Sequence, residues 1–233
     1  MIKKTIFILV TSILTPFALT GEHHEEKLPV TAEEQSQLTP DNVLSDLIAG
    51  NERFVEGHLP KYDVASNREA AVSGQFPKAY VLSCVDSRVP VEHVFNQGLG
   101  DIFVGRVAGN VENVDQLGSI EYATKYAGVK LVIVLGHESC GAVKGTIAGV
   151  EDGNLSLLLE KISPAVAMTT NHSHHDSNTK NKAYVKDVVT NNVIKTVKDI
   201  RARSSILSGL EAEGKIKIVG AVYSLETGQV KIL

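Results

Sequence analysis

Ala79-Tyr-Val-Leu-Ser-Cys-Val-Asp-Ser-Arg-Val-Pro90 decides how the chain is read. Ala79 to Leu82 is an apolar, β-rich run with the length of a buried strand, and Pro90 lacks the N–H that a strand ladder would need to continue. Just beyond the run stand a thiol, a carboxylate and a guanidinium: Cys84, Asp86 and Arg88. In extended backbone alternate residues share a side, so the three face one way. Open α/β sheets keep their ligand crevices outside the carboxyl ends of the strands, where these side chains fall. Arg88 is placed to hold Asp86 ionised and oriented through a two-pronged contact.

Lys130-Leu-Val-Ile-Val-Leu-Gly136 repeats the arrangement as an uninterrupted apolar run, the pattern of a strand buried on both faces of a parallel sheet. His137-Glu-Ser-Cys140 follows directly, and Gly141-Ala-Val-Lys144 opens a helix. Parallel neighbours end on the same edge, so Cys84 and the His137/Cys140 pair are expected to meet across 52 intervening residues. Two soft thiolates and an imidazole are preferred donors for zinc, and three protein ligands leave one tetrahedral position open, the catalytic pattern. Zinc so held lowers the pKa of its water from about 15.7 to about 7. A phosphatase loop, the rival use of Cys and Arg, needs five intervening residues, whereas Cys84 and Arg88 have three.

The remaining sequence frames these two loops. A chain of 233 residues, 43% apolar and 21% charged, suits one globular domain with extensions. A net charge of −4 without a basic stripe argues against nucleic-acid binding. Met1-Ile-Lys-Lys, the apolar run from Thr5 and small residues near Ala18 to Thr20 read as a signal peptide over residues 1–21, implying a periplasmic protein. A membrane-anchor helix is the other reading of that run, though it is short for a span and Pro16 breaks it. Export makes a Cys84–Cys140 disulfide the default expectation for two cysteines; a bound metal explains reduced thiols instead, leaving the disulfide to metal-free protein.

Residues 22–38 read as a flexible N-terminus, with any metal affinity of His23 and His24 incidental. A catalytic domain over 39–233 follows. Thr39-Pro40-Asp41 starts a helix to about Val55, and a second runs over Val64–Val72. Val89–Phe95 is a helical turn, Asp101–Gly105 a strand, and Gly109 and Asn110 a tight loop. Asn113 or Asp115 caps a helix that Gly128 closes at C′. Pro164 should divide the apolar helical run Leu155–Met168, and 171–178 is a polar loop whose three His bind metal only adventitiously. A long helix spans Ala183 to Leu207, Lys215–Tyr223 is a strand, and Glu226-Thr-Gly228 turns into Gln229–Leu233. The fold class is therefore α/β: a mostly parallel sheet flanked by helices, with an antiparallel C-terminal hairpin.

Taken together, these residues resemble the β-class carbonic anhydrases. Cys84-Val-Asp-Ser-Arg88 matches that family's Cys-x-Asp-x-Arg motif, and Gly136-His-Glu-Ser-Cys-Gly141 its Gly-His-x-x-Cys-Gly motif. Gly50–Phe54, Gln75-x-Pro77, Arg106–Asn110 and Val222–Gly228 extend the likeness over roughly residues 40–233. The resemblance implies Cys84, His137 and Cys140 as zinc ligands and Asp86 with Arg88 as the catalytic dyad. It also implies Gln75 as a substrate-positioning residue, and Phe103, Ala108 and Tyr122 as the lining of a small apolar pocket for carbon dioxide. The implied assembly is a homodimer or dimer-based tetramer with sites near the interface, and the implied reaction is reversible hydration of carbon dioxide to bicarbonate and a proton. Hydrolysis of carbonyl sulfide on the same scaffold and a non-catalytic zinc or bicarbonate-binding role are the alternatives. Family members that close the site with Asp carry a Trp–Arg–Tyr trio; here Arg106 and Tyr223 are present but Val81 stands for Trp, so Asp86 is expected to stay with Arg88. His58 and His93 are candidate proton shuttles only as exposed imidazoles.

Overall fold

The computed structural model describes residues 28–58, 63–173 and 175–233. The expected leader over 1–21, with His23 and His24, lies outside them. Among the described residues five strands form one sheet: β1 Ala79–Ser83, β2 Ile102–Arg106, β3 Leu131–His137, β4 Lys217–Tyr223 and β5 Val230–Ile232. Their order is β2-β1-β3-β4-β5, parallel throughout except for the antiparallel β4/β5 pair. β1 and β3 are buried along their whole length, which is why both read as apolar runs without alternation.

Helices cover both faces. On one, Leu82, Val132 and Val134 pack with Leu117 and Ile120 of α5 (Val114–Lys125) and with Val188, Val189 and Val193 of α9 (Lys182–Arg203). On the other, Val81, Ile133 and Leu135 share a cluster with Val43 and Leu47 of α2 (Pro40–Val55) and with Val91 and Val94 of α4 (Val91–Val94). Thr39 caps α2 by accepting from the Asn42 N–H, with Pro40 at the first helical position, where no N–H is missed. Of the two candidate caps for α5, Asn113 accepts the Gln116 N–H.

Three expectations need correction. The stretch 22–38 is not wholly irregular: α1 (Ala32–Gln37) carries a reciprocal capping box between Thr31 and Glu34. Gln35 then donates to the carbonyls of Pro77 and Ala127, tying α1 to the domain. The helix expected to reach Leu207 stops at Arg203, because the Ser204 side chain accepts the Leu207 N–H and starts α10 (Ser205–Ala212). Gly128 has the left-handed φ of 79° expected of a helix stop, but it lies two residues beyond the α5 C-cap Tyr126. Pro164 does divide its run, into α7 (Gly153–Glu160) and α8 (Ser163–Met168). The other short helices are α3 (Val64–Ala71) and α6 (Gly141–Ile147).

Candidate metal centre

The register that aligns Ser83 of β1 with Leu135 of β3 brings the two strand tips together. Cys84 follows β1, His137 ends β3 and Cys140 is the residue before α6. All three are buried, and their donor atoms lie within 4.8 Å of one another, the one such metal-competent group among the described residues. The two Sγ atoms are 3.9 Å apart. His137 Nδ1 lies 2.9 Å from the Glu138 carbonyl oxygen, which only accepts, so Nδ1 carries the proton and Nε2 the lone pair. Nε2 is buried without a hydrogen-bond partner among the described residues. A buried imidazole lone pair grouped with two sulfurs is a fit for a soft or borderline divalent cation. The two thiols hydrogen-bond each other, a contact that lowers Cys84 below the ordinary thiol value and, together with burial, raises Cys140. Metal ligation requires thiolates, so binding here would release thiol protons.

Asp86 stands beside this donor set, its Oδ2 3.8 Å from His137 Nε2. Arg88 donates through Nε to Oδ1 at 2.9 Å and through Nη2 to Oδ2 at 2.7 Å, and its backbone N–H adds a third bond at 3.0 Å. The guanidinium holds the Asp86 carboxyl well below the usual carboxylate range against the opposing effect of burial.

The support beneath the site was less visible in sequence. Arg106, at the end of β2, donates to the carbonyls of Cys84 at 2.9 Å and Asp86 at 2.5 Å, fixing the loop's backbone. The Gly109 N–H reaches Cys84 Sγ at 3.3 Å from a left-handed φ of 69°. A Cβ there would lie 2.5 Å from Ile162 Cδ1. Asn192, buried on α9, donates to the Gly109 carbonyl at 2.8 Å. The available signal was one Asn among the valines of that helix's apolar face.

The proposed lining residues are not all at the metal-competent cluster. Ala108 precedes Gly109, whose N–H reaches Cys84 Sγ. Phe103 and Tyr122, their ring centroids 6.4 Å apart, instead line a cleft of about 760 Å³ beside the edge strand β2, which none of the three ligand residues lines. Gln75 is exposed and precedes β1, while Cys84 follows it; five strand residues at roughly 3.3 Å each separate the two ends. Val81 is buried in the α2-side core, and Tyr223 is aligned with His137 in the sheet. His58 contacts Glu56 and His93 is exposed on α4. In the polar loop, His172 bonds Asp187 at 2.8 Å and packs edge-on to Tyr184, while His174 lies outside the described residues.

Residues 79–230 match the family model described as carbonic anhydrase. Carbonic anhydrase 2 of Mycobacterium tuberculosis is 40% identical over 187 residues, 77% of this chain and 86% of that protein. The carbonic anhydrase of Mycolicibacterium smegmatis is 36% identical over 189 residues, 78% of this chain and 88% of its own length. Among solved structures, a tetrameric β-carbonic anhydrase from Sordaria macrospora shares the fold with a TM-score of 0.66 at 23% identity, over 82% of this chain and 97% of that one. The family match begins with β1 and runs through the two loops that carry Cys84, His137 and Cys140 to the start of β5, and on that sequence relationship the chain belongs to the β-class carbonic anhydrases.

Proposed function

We propose that the chain catalyses the reversible hydration of carbon dioxide to bicarbonate and a proton, with zinc held by Cys84, His137 and Cys140. The observation that carries this reading is the ionised Asp86 carboxylate, clamped by Arg88 3.8 Å from the free Nε2 of His137. Bound zinc supplies Lewis acidity that lowers the pKa of a water to about 7. Asp86, an acceptor only, takes a hydrogen bond from a water at the site and so aims that oxygen's lone pair. Arg88 keeps the carboxylate charged and stops it from turning toward the donor set. The buried walls around Cys84, His137 and Cys140 keep bulk water from competing for these bonds.

A second copy of the chain completes the reading. Among the described residues β2 leaves one edge unpaired, and Val114, Tyr122 and Tyr126 are exposed beside it, with Tyr122 and Tyr126 stacked at 6.4 Å. A homodimer, alone or within a tetramer, covers this apolar edge and delivers Phe103, Tyr122 and Gln75 to the neighbour's site. Residues 1–21 are proposed as a secretory leader and the mature protein as periplasmic. Among the described residues no helix is long and apolar enough to cross a membrane. Stopped-flow hydration of carbon dioxide by residues 22–233, with zinc content measured on the same sample, tests the reading. Full zinc occupancy without hydration sinks it.

A further inference from the structure

Beside the metal-competent centre lies a second cleft, of about 680 Å³, that the proposed reaction does not use. It opens between the loop joining β3 to α6, the first turn of α9 and the turn after β4. Arg88 and Ser139 both line it, so it adjoins the centre: Arg88 is the partner of Asp86, and Ser139 lies between His137 and Cys140. Its charge is opposite to that of the molecule. Arg88, Lys144, Lys180, Lys182 and Lys186 face two carboxylates, Glu138 and Glu226, which leaves three net positive charges on a chain whose net charge is −4.

Those charges are largely unspent. Lys186 makes only a loose pair with Glu138 at 3.9 Å, and Glu138 also accepts the Ser224 hydroxyl at 2.9 Å. Lys144, Lys180 and Lys182 have no carboxylate within ion-pair range among the described residues. Arg88 gives Nε and Nη2 to Asp86, leaving Nη1 without a partner among the described residues. Asn181 already caps the Ala183 and Tyr184 N–H groups of α9, so the attraction comes from side chains. Like charges gathered in a concave wall focus potential and raise the local anion concentration over about a Debye length.

We propose that this cleft is an oxyanion vestibule, in which Arg88, Lys144 and Lys182 hold bicarbonate beside the metal centre. The site's preference for a small oxyanion follows from its charge alone; the identification of that anion as bicarbonate rests on the proposed reaction. Bicarbonate leaving or approaching the centre passes a charged ledge, and other small oxyanions such as sulfate compete for it. The vestibule changes how much anion is held near the centre, not the reaction's equilibrium.

Calorimetric titration of sulfate into the zinc-loaded full chain at low ionic strength tests this. The same titration is run on Lys144→Gln/Lys182→Gln and on the charge-conserving Lys144→Arg/Lys182→Arg, with zinc content and circular dichroism confirming intact protein. The expected result is one sulfate per chain, weakened about tenfold or more in the Gln pair and retained in the Arg pair. Added azide, which occupies the metal's open position, leaves sulfate binding in place, and bicarbonate displaces the sulfate. Equal sulfate affinity in wild type and the Gln pair, or loss of binding with azide, overturns the vestibule. Sulfate binding that bicarbonate fails to displace overturns the bicarbonate assignment. Carbon dioxide hydration by the wild-type protein is measured separately, so failure of the vestibule and failure of the proposed reaction are read from different experiments.

Discussion

Arg88 grips both carboxylate oxygens of Asp86, at 2.9 and 2.7 Å, and donates its own backbone N–H to the same group. A planar guanidinium makes such a fork and an ammonium does not. Asp86→Ala and Arg88→Lys are each expected to lower hydration kcat by about 10²-fold while zinc content stays at one per chain. A parallel fall in zinc content would move both residues from orienting water to holding metal.

Cys84 and Cys140 contribute two of the three donors, so a hydroxyl is a poor exchange for either sulfur. Cys84→Ser is expected to purify without stoichiometric metal, with its melting temperature reduced. Chelator treatment of the wild type should lower the melting temperature similarly, because metal bound only by the folded state adds its binding energy to stability. Matching melting curves for chelated and loaded wild-type protein would contradict this.

Gly109 combines a φ of 69° with a space already taken by Ile162, and its carbonyl is held by Asn192. Gly109→Ala is expected to cost about 1–3 kcal/mol in denaturant unfolding, from strain plus overpacking. Asn192→Ala should weaken metal affinity by about 10-fold or more in a chelator competition, since it frees the turn whose N–H steadies Cys84 Sγ. Unchanged affinity in that variant would show that the turn holds its shape alone.

Glu211 joins α10 to α9 and β4, accepting two bonds from Arg201, at 2.7 and 2.8 Å, and the Ile218 N–H at 3.0 Å. The Arg201 guanidinium holds its carboxyl below the ordinary value. A carboxylate depressed in the folded state stabilises above its unfolded pKa of about 4.3, and the contribution disappears as pH falls through the folded value. Glu211→Gln is therefore expected to cost about 1 kcal/mol at pH 7, after discounting for solvent screening. The wild-type minus variant difference should shrink below about pH 4, and taking it at each pH cancels acid-driven metal loss common to both. A difference that is the same at pH 7 and pH 3 would rule this out.

Much of this structure was legible because parallel strands put chemistry in a fixed place. The apolar runs at Ala79 and Lys130 located two adjacent strand tips, and Cys84, His137 and Cys140 followed from that edge rule. What escaped reading acts through the main chain. The Arg106 bonds to two carbonyls and the bond from Asn192 to Gly109 are set by tertiary approach, which no local spacing encodes. The α9–α10 break had a local cause in Ser204, but continuous helical character on either side hid it. The family likeness points Phe103 and Tyr122 at the pocket, but position in sequence does not say which cleft a side chain lines, and both line the one beside β2.

The donor atoms of the centre come from two loops with 52 residues between Cys84 and His137, joined only when β3 pairs with β1. In the unfolded chain that separation makes the three a poor chelate, so metal rewards only molecules whose parallel sheet has already closed. Bound metal would thus act as a proofreader of topology: a chain with β1 and β3 misregistered cannot gather the three donors and forgoes the stability that binding adds.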